Sequence, residues 1–264
     1  MTSVEDPITV AREALRDCRL CPHDCGVNRL DGEHGRCGAG ATARVFSAQI
    51  EVGDELELIP CFAIAFSGCD MRCEFCITGA DSWNPSRGEP FDAASLAAKA
   101  GTARTVMILG GEPTIYTPQL LELAAAMPDS VRLVLKTNAY LTQEARSLLA
   151  GVFDVWLADY KFGNDMCAER LAGIADYRRP VEETLLWADQ GSELIVRHLL
   201  MPGHVDCCWG PIAGWLAENL PGVKVSLRDG YWPAWRAKQS GFVTPAEVER
   251  ATQIARECEL HLIA

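Results

Sequence analysis

Residues 61–76 read CFAIAFSGCDMRCEFC, an apolar run followed at once by a polar loop with three cysteines. The apolar part has the length and composition of a strand that is covered on both faces. Cys69, Cys73 and Cys76 therefore lie in the turn that leaves this strand. Three thiols in so short a loop can converge on one soft metal centre. The alternatives are three buried cysteines, or a zinc site with a distant fourth ligand.

The alternation of an apolar run and a helical pattern continues along the chain. Five more runs predict strands: RTVMILGG (104–111), VRLVLKTN (131–138), DVWLADYK (154–161), ELIVRHLL (193–200) and KVSL (224–227). Helices are expected at 92–100, 118–127, 142–150, 180–190, 206–219 and 244–259, the last opened by a capping box at Thr244 and Glu247.

This repeat of strand and helix predicts a parallel sheet with right-handed crossovers. We predict an α/β fold, a partial (βα)6 TIM-type barrel at 59–264 with a Cys-rich N-terminal extension at 1–58. The site of such a barrel lies at the carboxyl ends of its strands.

Composition narrows the class of protein. Of 264 residues, 48% are hydrophobic and 23% charged, and the net charge of −12 argues against nucleic acid as a partner. No apolar run reaches the length of a membrane span, and the first residues lack the pattern of a signal peptide. We therefore expect a cytoplasmic protein. In that compartment its twelve cysteines indicate metal binding or redox chemistry rather than disulfides.

A second motif, GGEP at 110–113, ends the next predicted strand. Gly110 and Gly111 there would let a ligand approach the backbone, and Glu112 can pair with an ammonium group. With Cys-x3-Cys-x2-Cys and Phe75 before the last cysteine, the sequence resembles the radical S-adenosylmethionine (SAM) superfamily. The resemblance implies that the three cysteines hold a [4Fe-4S] cluster, that SAM chelates its open iron, and that the Gly-Gly-Glu segment contacts the SAM amino group.

Further stretches resemble the activating enzymes of pyruvate formate-lyase and a related activase-like group. They are LKTNAY, DVWLADYKFG and IVRHLLMPGHVDCC. The resemblance implies SAM contacts at Thr137, Asn138, Asp159, Lys161 and Arg197. From the residues alone, Asp159 and Lys161 also fit an ordinary ion pair at a strand end.

Two neighbouring residues on one strand point to opposite faces, so we expect Arg197 rather than His198 to face the barrel interior. His204 is interpreted as a hydrogen-bonding loop residue. Cys207 and Cys208 are interpreted as a buried helix start, because adjacent cysteines do not easily chelate one ion together.

The chain departs from the activase-like group after its last core strand, where it reads SLRDGYWP. Arg228 and Asp229 bring charges to the expected mouth of the pocket, and Trp232 follows as a wall for a substrate. The departure favours a closed polar pocket, and it puts the family's adenine contact from this region in doubt.

Four more cysteines, at 18, 21, 25 and 37, fall in the N-terminal extension. Tetrahedral zinc suits the set of Cys18, Cys21, Cys25 and Cys37. The ion would help to fold a segment that has no core of its own. An auxiliary iron–sulfur cluster and a set of metal-free buried thiols are the alternatives. We favour zinc.

The resemblance implies that the cluster gives one electron to SAM, whose cleavage yields a 5′-deoxyadenosyl radical that abstracts hydrogen from a C–H bond. It also implies a flavodoxin or ferredoxin as reductant. We favour a small-molecule or peptide substrate. The alternatives are an activase that installs a glycyl radical on a partner enzyme, and a metal-binding scaffold protein without activity.

Overall fold

The computed structural model describes residues 6–53 and 55–264, so residues 1–5 and 54 of the predicted N-terminal extension lie outside it. One sheet of nine strands, in the order β3-β1-β2-β4-β5-β6-β7-β8-β9, organises this part of the chain. The strands are β1 (Arg44–Glu51), β2 (Cys61–Phe66), β3 (Glu89–Pro90), β4 (Thr105–Gly110), β5 (Arg132–Thr137), β6 (Val155–Asp159), β7 (Glu193–Leu199), β8 (Lys224–Arg228) and β9 (His261–Ile263).

The six predicted strands are present and pair in parallel in chain order, from β2 to β8. The predicted partial barrel is confirmed. Two features were not predicted: β9 adds a further parallel strand beside β8, and β1 with the short β3 pairs antiparallel at the other edge. All the parallel strands have their carboxyl ends on the same side of the sheet, and the cysteine loop and the residues predicted to contact SAM follow or lie at these ends.

The helices are α1 (Pro7–Glu13), α2 (Ala80–Trp83), α3 (Ala93–Ala100), α4 (Thr117–Ala126), α5 (Gln143–Leu148), α6 (Asp165–Ala172), α7 (Arg178–Gly191), α8 (Gly210–Asn219) and α9 (Pro245–Glu257). The six predicted helices appear with shifted ends. Polar side chains cap several of them: Asp92 opens α3, Thr142 opens α5, and the capping box of Thr244 with Glu247 opens α9. Helix α6, capped by Asn164, was not predicted because its eight residues make a short pattern.

The two faces of the sheet bury different side chains. The helix-facing side carries large residues such as Phe66, Ile108 and Trp156 in the main core. The barrel interior is filled by smaller groups, among them Ala63, Met107 and Leu157, together with Leu58. Since side chains alternate along each strand, polar groups at the strand ends can face the interior directly above this apolar layer.

The N-terminal extension packs against the barrel. Its Arg29 is buried and donates to the carbonyl oxygen of Ile115 at 2.6 Å, and the Leu20 carbonyl accepts from Thr142 N at 3.3 Å. Strand β1 belongs to the main sheet, so the last part of this extension continues the barrel rather than standing apart from it. The boundary at residue 58 stays a prediction. Within the two described ranges, no helix is both long and apolar enough to cross a membrane.

Candidate active site

The cysteine loop follows β2, and backbone hydrogen bonds attach it to the last turn of α6. Arg72 N donates to Ala172 O at 3.2 Å and Glu74 N donates to Leu171 O at 2.9 Å. Cys73 is buried, while Cys69 and Cys76 are half-buried. Burial raises the pKa of Cys73 to about 12, with the Lys161 charge opposing the rise, and burial also raises that of Cys69. Such thiols become ligands when a bound cation displaces their protons.

The two glycines of GGEP let the backbones of β4 and β2 approach each other. Gly111 N donates to Phe66 O at 2.8 Å and Glu112 N donates to Gly68 O at 2.9 Å. A Cβ on Gly110 would lie 2.2 Å from Phe66 O, and one on Gly111 would lie 1.9 Å from Gly68 O. The sequence predicted glycines for the approach of a ligand; the structure shows that they first serve the approach of the cysteine loop.

Glu112 is fully buried and connects the ends of β4 and β5. Its carboxylate accepts from Thr114 N (3.1 Å), Thr114 Oγ1 (2.7 Å), Thr137 Oγ1 (2.8 Å) and Asn138 N (2.7 Å). Burial and the nearby Asp70 carboxylate raise the pKa of Glu112 to about 7, against these hydrogen bonds. The structure thus brings together three predicted residues, Glu112, Thr137 and Asn138, in one network beside Cys69.

A charged row lies on the other side of the cysteine loop. Lys161 Nζ donates to Asp159 Oδ2, and Arg197 Nη1 lies 3.3 Å from Asp159 Oδ1. Burial would raise the pKa of Asp159, but the charges of Lys161 and Arg197 outweigh it and hold the pKa well below its usual range. Burial acts to lower the pKa of Lys161, yet the Asp159 charge raises it overall. Both groups therefore stay ionised at neutral pH.

Arg197 lies on the interior face in line with Ile195 of the interior layer, whereas His198 points into the helix layer and stacks on Trp209. Glu55, which sequence reasoning missed, is fully buried next to this row. Its Oε1 accepts from Arg197 Nε and from Ser226 Oγ, each at 2.9 Å. No sequence motif marks Glu55, because its partners are more than 140 residues away.

Phe75 packs into the core between two aromatic rings. Its ring centroid lies 6.1 Å from those of Phe162 and Tyr231. It therefore anchors the cysteine loop to the chain that follows β6 and β8. A direct contact of Phe75 with SAM stays a prediction.

The predicted substrate residues form an open surface rather than the closed pocket that the sequence favoured. Asp229 is exposed, Arg228 is half-buried, and Trp232 is 63% exposed with its ring against Phe242. The chain after β8 lies on the cysteine loop, since Arg236 N donates to Glu74 O at 2.9 Å. These residues are beside the candidate site, and their role in binding a substrate stays a prediction.

Three of the four N-terminal cysteines lie near one another and near Asp70. The charges of Cys18 and Cys37 act on Cys21, and Asp70 acts on both Cys21 and Cys37. Burial raises the pKa of Cys21 and of Cys37. Cys25 is exposed, and its sulfur accepts from Arg36 N at 3.4 Å. Their joint metal site stays a prediction.

Comparison with known proteins agrees with this geometry. A family model described as the radical SAM superfamily matches residues 64–216, more than half of the chain. The chain belongs to the radical SAM superfamily. A relative from Methanocaldococcus jannaschii, the uncharacterized protein MJ0674, is 32% identical over 276 residues, covering 97% of this chain and 79% of that protein.

Solved structures share the fold of this radical SAM protein at low identity. Streptococcus suis SuiB bound to its precursor peptide SuiA has a TM-score of 0.57 at 16% identity, covering 74% of this chain and 46% of SuiB. A radical SAM methyltransferase from Sphaerobacter thermophilus gives 0.56 at 16%, covering 76% of this chain and 65% of that one. A domain of pyruvate-formate lyase-activating enzyme from Bacteroides vulgatus gives 0.50 at 14%, covering 60% and 96%. The chain thus spans about half of SuiB and about two thirds of the methyltransferase.

Members of this superfamily use a [4Fe-4S] cluster and SAM, and the residues present here fit both. The donors are three cysteine sulfurs in one loop, which leave one iron of a four-iron cluster without a protein ligand. Beside them, Asp159 and Lys161 supply fixed charges of both signs, as a zwitterionic ligand requires.

Proposed function

We propose that this chain is an enzyme that cleaves SAM and abstracts hydrogen from a peptide. The observation that carries the proposal is the meeting of three features at one edge of the sheet: the loop of Cys69, Cys73 and Cys76, the Glu112 network and the charged row of Asp159. A [4Fe-4S] cluster held by the loop would supply one electron to SAM and so generate the 5′-deoxyadenosyl radical that takes hydrogen from the substrate.

The protein's own groups would orient SAM on either side of the loop. Lys161 and Arg197 offer positive charge to the carboxylate, while Asp159 and Glu112 offer negative charge to the amino group. Glu112 already accepts three hydrogen bonds at Oε1 and one at Oε2, so the remaining lone pair of Oε2 is the one that an ammonium group would use. The backbone at Gly110 and Gly111 would lie beside the same amino group. Thr137 and Asn138 would hold Glu112 in position for these contacts, and Phe75 would hold the cysteine loop.

A peptide is favoured over a small molecule because several large apolar side chains are exposed beside the loop. Ile77 is 76% exposed directly after Cys76, and Trp232, Trp235 and Phe242 are exposed on the chain after β8. Trp235 packs on Gly79 and on Trp83, which ties this surface to the cysteine loop. An extended substrate could lie across these side chains, with Arg228 and Asp229 contacting its polar groups. SuiB, which shares the fold, binds a precursor peptide.

A glycyl-radical activase is the second candidate. The same open surface suits a loop of a large partner enzyme, and the fold of the activating-enzyme domain from Bacteroides vulgatus is similar. A scaffold without activity accounts for none of the fixed charges beside the loop. The class of enzyme, beyond radical SAM chemistry, rests on which of these substrates supplies the hydrogen.

The reductant would be an acidic electron carrier, a flavodoxin or ferredoxin, in the cytoplasm. Five basic residues lie around the cysteine loop and form a basic belt, although the net charge of the chain is −12: Arg36, Arg72, Arg170, Arg236 and Lys238. Two belt residues contact each other, since Arg72 Nη2 donates to Arg36 O at 2.7 Å. Lys238 contacts the loop, with its Nζ 3.1 Å from the Glu74 carboxylate. Opposite charges would steer the carrier to this face.

The N-terminal cysteines would bind zinc beside the cysteine loop. Cys18, Cys21 and Cys37 act electrostatically on one another and would supply three ligands. Their sulfurs do not all lie within 4.8 Å of one another in the described chain, so the ion would draw them together. The fourth ligand would be Cys25, if its loop moves inward, or Asp70, whose Oδ2 is buried and makes no hydrogen bond within the described part of the chain. Such an ion would fix the extension to the loop that binds the cluster.

Transfer of deuterium tests the proposed substrate class. The reconstituted protein receives SAM and a reductant together with low-mass, peptide or protein fractions from cells grown on deuterated medium. Deuterium in 5′-deoxyadenosine from the peptide fraction, absent with Cys73→Ala, is the expected result. Transfer from the low-mass fraction alone would contradict the peptide proposal. A glycyl radical formed in the protein fraction would establish the activase instead.

A further inference from the structure

Four potential metal ligands converge away from the cysteine loop, on the outer layer of the barrel. They are Cys167 on α6, and His204, Cys207 and Cys208 between β7 and α8, and their ligand atoms all lie within 4.8 Å of one another. Cys167, His204 and Cys208 are buried, whereas Cys207 is exposed. The sequence interpreted His204 as a hydrogen-bonding loop residue and Cys207 and Cys208 as a buried helix start. In the structure His204 hydrogen-bonds to Arg170, and both cysteines lie on the turn that opens into α8, with Cys208 buried and Cys207 exposed.

The distances match one tetrahedral ion. His204 Nδ1 lies 3.6 Å from Cys167 Sγ, 3.4 Å from Cys207 Sγ and 3.5 Å from Cys208 Sγ. Zinc bonds of about 2.3 Å to sulfur and about 2.0 Å to nitrogen, at tetrahedral angles, put these atoms about 3.5 Å apart. A single histidine nitrogen equidistant from three sulfurs is the arrangement that one central ion requires.

A turn of π-helix, Val205–Trp209, is the local feature that lets both adjacent cysteines face the same point. Cys208 N and Trp209 N both donate to His204 O, at 2.9 and 3.3 Å, which widens the turn. Such turns are rare and are frequent at functional sites. The wider turn removes the objection that neighbouring cysteines cannot share an ion.

Gly163 and Asn164 hold the two ligand-bearing segments together. Asn164 Oδ1 accepts from Cys167 N at 2.8 Å, and its Nδ2 donates to Cys207 O at 2.6 Å. A Cβ on Gly163 would lie 2.1 Å from Cys208 O. The close approach of α6 to this turn is therefore built into the fold, independently of the sulfur atoms.

We propose that Cys167, His204, Cys207 and Cys208 form a structural zinc site. Three thiolates and one imidazole complete a closed tetrahedral shell, which is typical of structural zinc. Ligands that share one ion stand closer together than cysteines on separate irons of a cluster, so a single zinc ion fits better. Binding displaces the thiol protons and leaves the proton of His204 on Nε2. Arg170 Nη2, now 3.2 Å from Nε2, is on an exposed side chain and turns to solvent.

The ion would also stabilise the cysteine loop of the active site. Cys167 is in the first turn of α6, and the last carbonyls of the same helix accept from Arg72 N and Glu74 N. Zinc therefore fixes one end of a helix whose other end holds the loop of Cys73. This role depends on no step of the proposed reaction.

Metal content of the full-length protein, purified without oxygen, tests the site. We expect Cys207→Ser, at an exposed position, and Cys208→Ser each to lose one zinc per chain relative to the natural protein. Cys258→Ser is the matched control and should lose none. Far-ultraviolet circular dichroism and a cooperative urea transition report that each variant is folded. Zinc that is unchanged in folded Cys207→Ser, or lost only on changing Cys18 or Cys21, would overturn the proposal.

Cobalt(II) gives a second readout that identifies the ligands. Cobalt in place of zinc should show intense ligand-field bands of a tetrahedral site and thiolate charge-transfer absorption. Cys207→Ser, which loses the ion, should remove the charge-transfer absorption of this site, whereas Cys258→Ser should keep it. Bands of an octahedral ion in the natural protein, or a spectrum that Cys207→Ser leaves unchanged, would also overturn the proposal.

Discussion

Gly111 illustrates how a single residue fixes the candidate site. Because Gly111 has no side chain, Gly68 O can approach so closely that a Cβ on residue 111 would lie 1.9 Å from this oxygen. We expect Gly111→Ala to destabilise the protein by about 3 kcal/mol and to lower the iron retained after reconstitution. The added Cβ would clash with backbone atoms of the cysteine loop, which cannot move aside as a flexible side chain could. Urea unfolding and iron analysis measure the two effects.

Gly214→Ala is the matched control for this change. Gly214 lies within α8, where an added Cβ would meet no heavy atom within 4 Å, and its φ is not in the left-handed region. Alanine there should stabilise the helix by roughly 0.5–1 kcal/mol. Equal effects of the two substitutions would contradict the close-approach argument.

Lys161 carries the second prediction at the residue scale. Lys161→Met keeps the length of the side chain but removes its charge, and Asp159 keeps its contact with Arg197 at 3.3 Å. We expect the dissociation constant for SAM to rise about tenfold to a hundredfold, as for a lost charged hydrogen bond. Equilibrium dialysis with the oxidised, cluster-loaded protein avoids turnover. Lys99→Met on α3 is the control, and affinity unchanged in Lys161→Met would remove Lys161 from the binding site.

At the scale of single elements, β7 carries a buried histidine that makes stability depend on pH. Burial lowers the pKa of His198 from 6.5 to about 4, and its Nδ1 donates to Tyr160 O at 2.7 Å. Below pH 6.5 the unfolded chain binds a proton that the folded chain refuses, so stability falls as the pH drops from 6.5 towards 4. The loss at pH 5 relative to pH 7 is about 2 kcal/mol from this group.

His198→Asn tests this dependence, because its amide can still donate to Tyr160 O but does not titrate. Urea unfolding at pH 7 and pH 5 should show a smaller difference for the variant, by about 2 kcal/mol. An identical difference in both proteins would mean that other groups cause the loss of stability at low pH.

The elements also show what the sequence could predict. The strands β2 and β4–β8, and the motifs at their ends, follow from local patterns of apolar residues and from spacing within a few positions. Glu55 beside Arg197, and Cys167 beside His204, depend on contacts between residues far apart in the chain. No local pattern encodes these contacts, and the π-helical turn that joins Cys207 to Cys208 has no spacing signal of its own.

For the whole molecule, the basic belt around the cysteine loop contrasts with the negative net charge. The double change Arg36→Glu and Lys238→Glu should slow reduction by an acidic flavodoxin about tenfold at low salt, since electrostatic steering sets the association rate. Lys99→Glu should have little effect, because α3 ends just before β4 and so lies at the amino ends of the strands, away from the cysteine loop at their carboxyl ends. Stopped-flow absorption at the cluster measures the rate, and equal slowing by both changes would contradict docking at the belt.

The central claim is that Cys69, Cys73 and Cys76 support cleavage of SAM at this edge of the barrel. The most direct measurement incubates the reconstituted protein with SAM, dithionite and the peptide fraction without oxygen, and quantifies 5′-deoxyadenosine and methionine by mass spectrometry. We predict both products from the natural protein and from Cys258→Ala, and neither from Cys73→Ala. Equal product from Cys73→Ala, or none from the natural protein with its cluster loaded, would contradict the account.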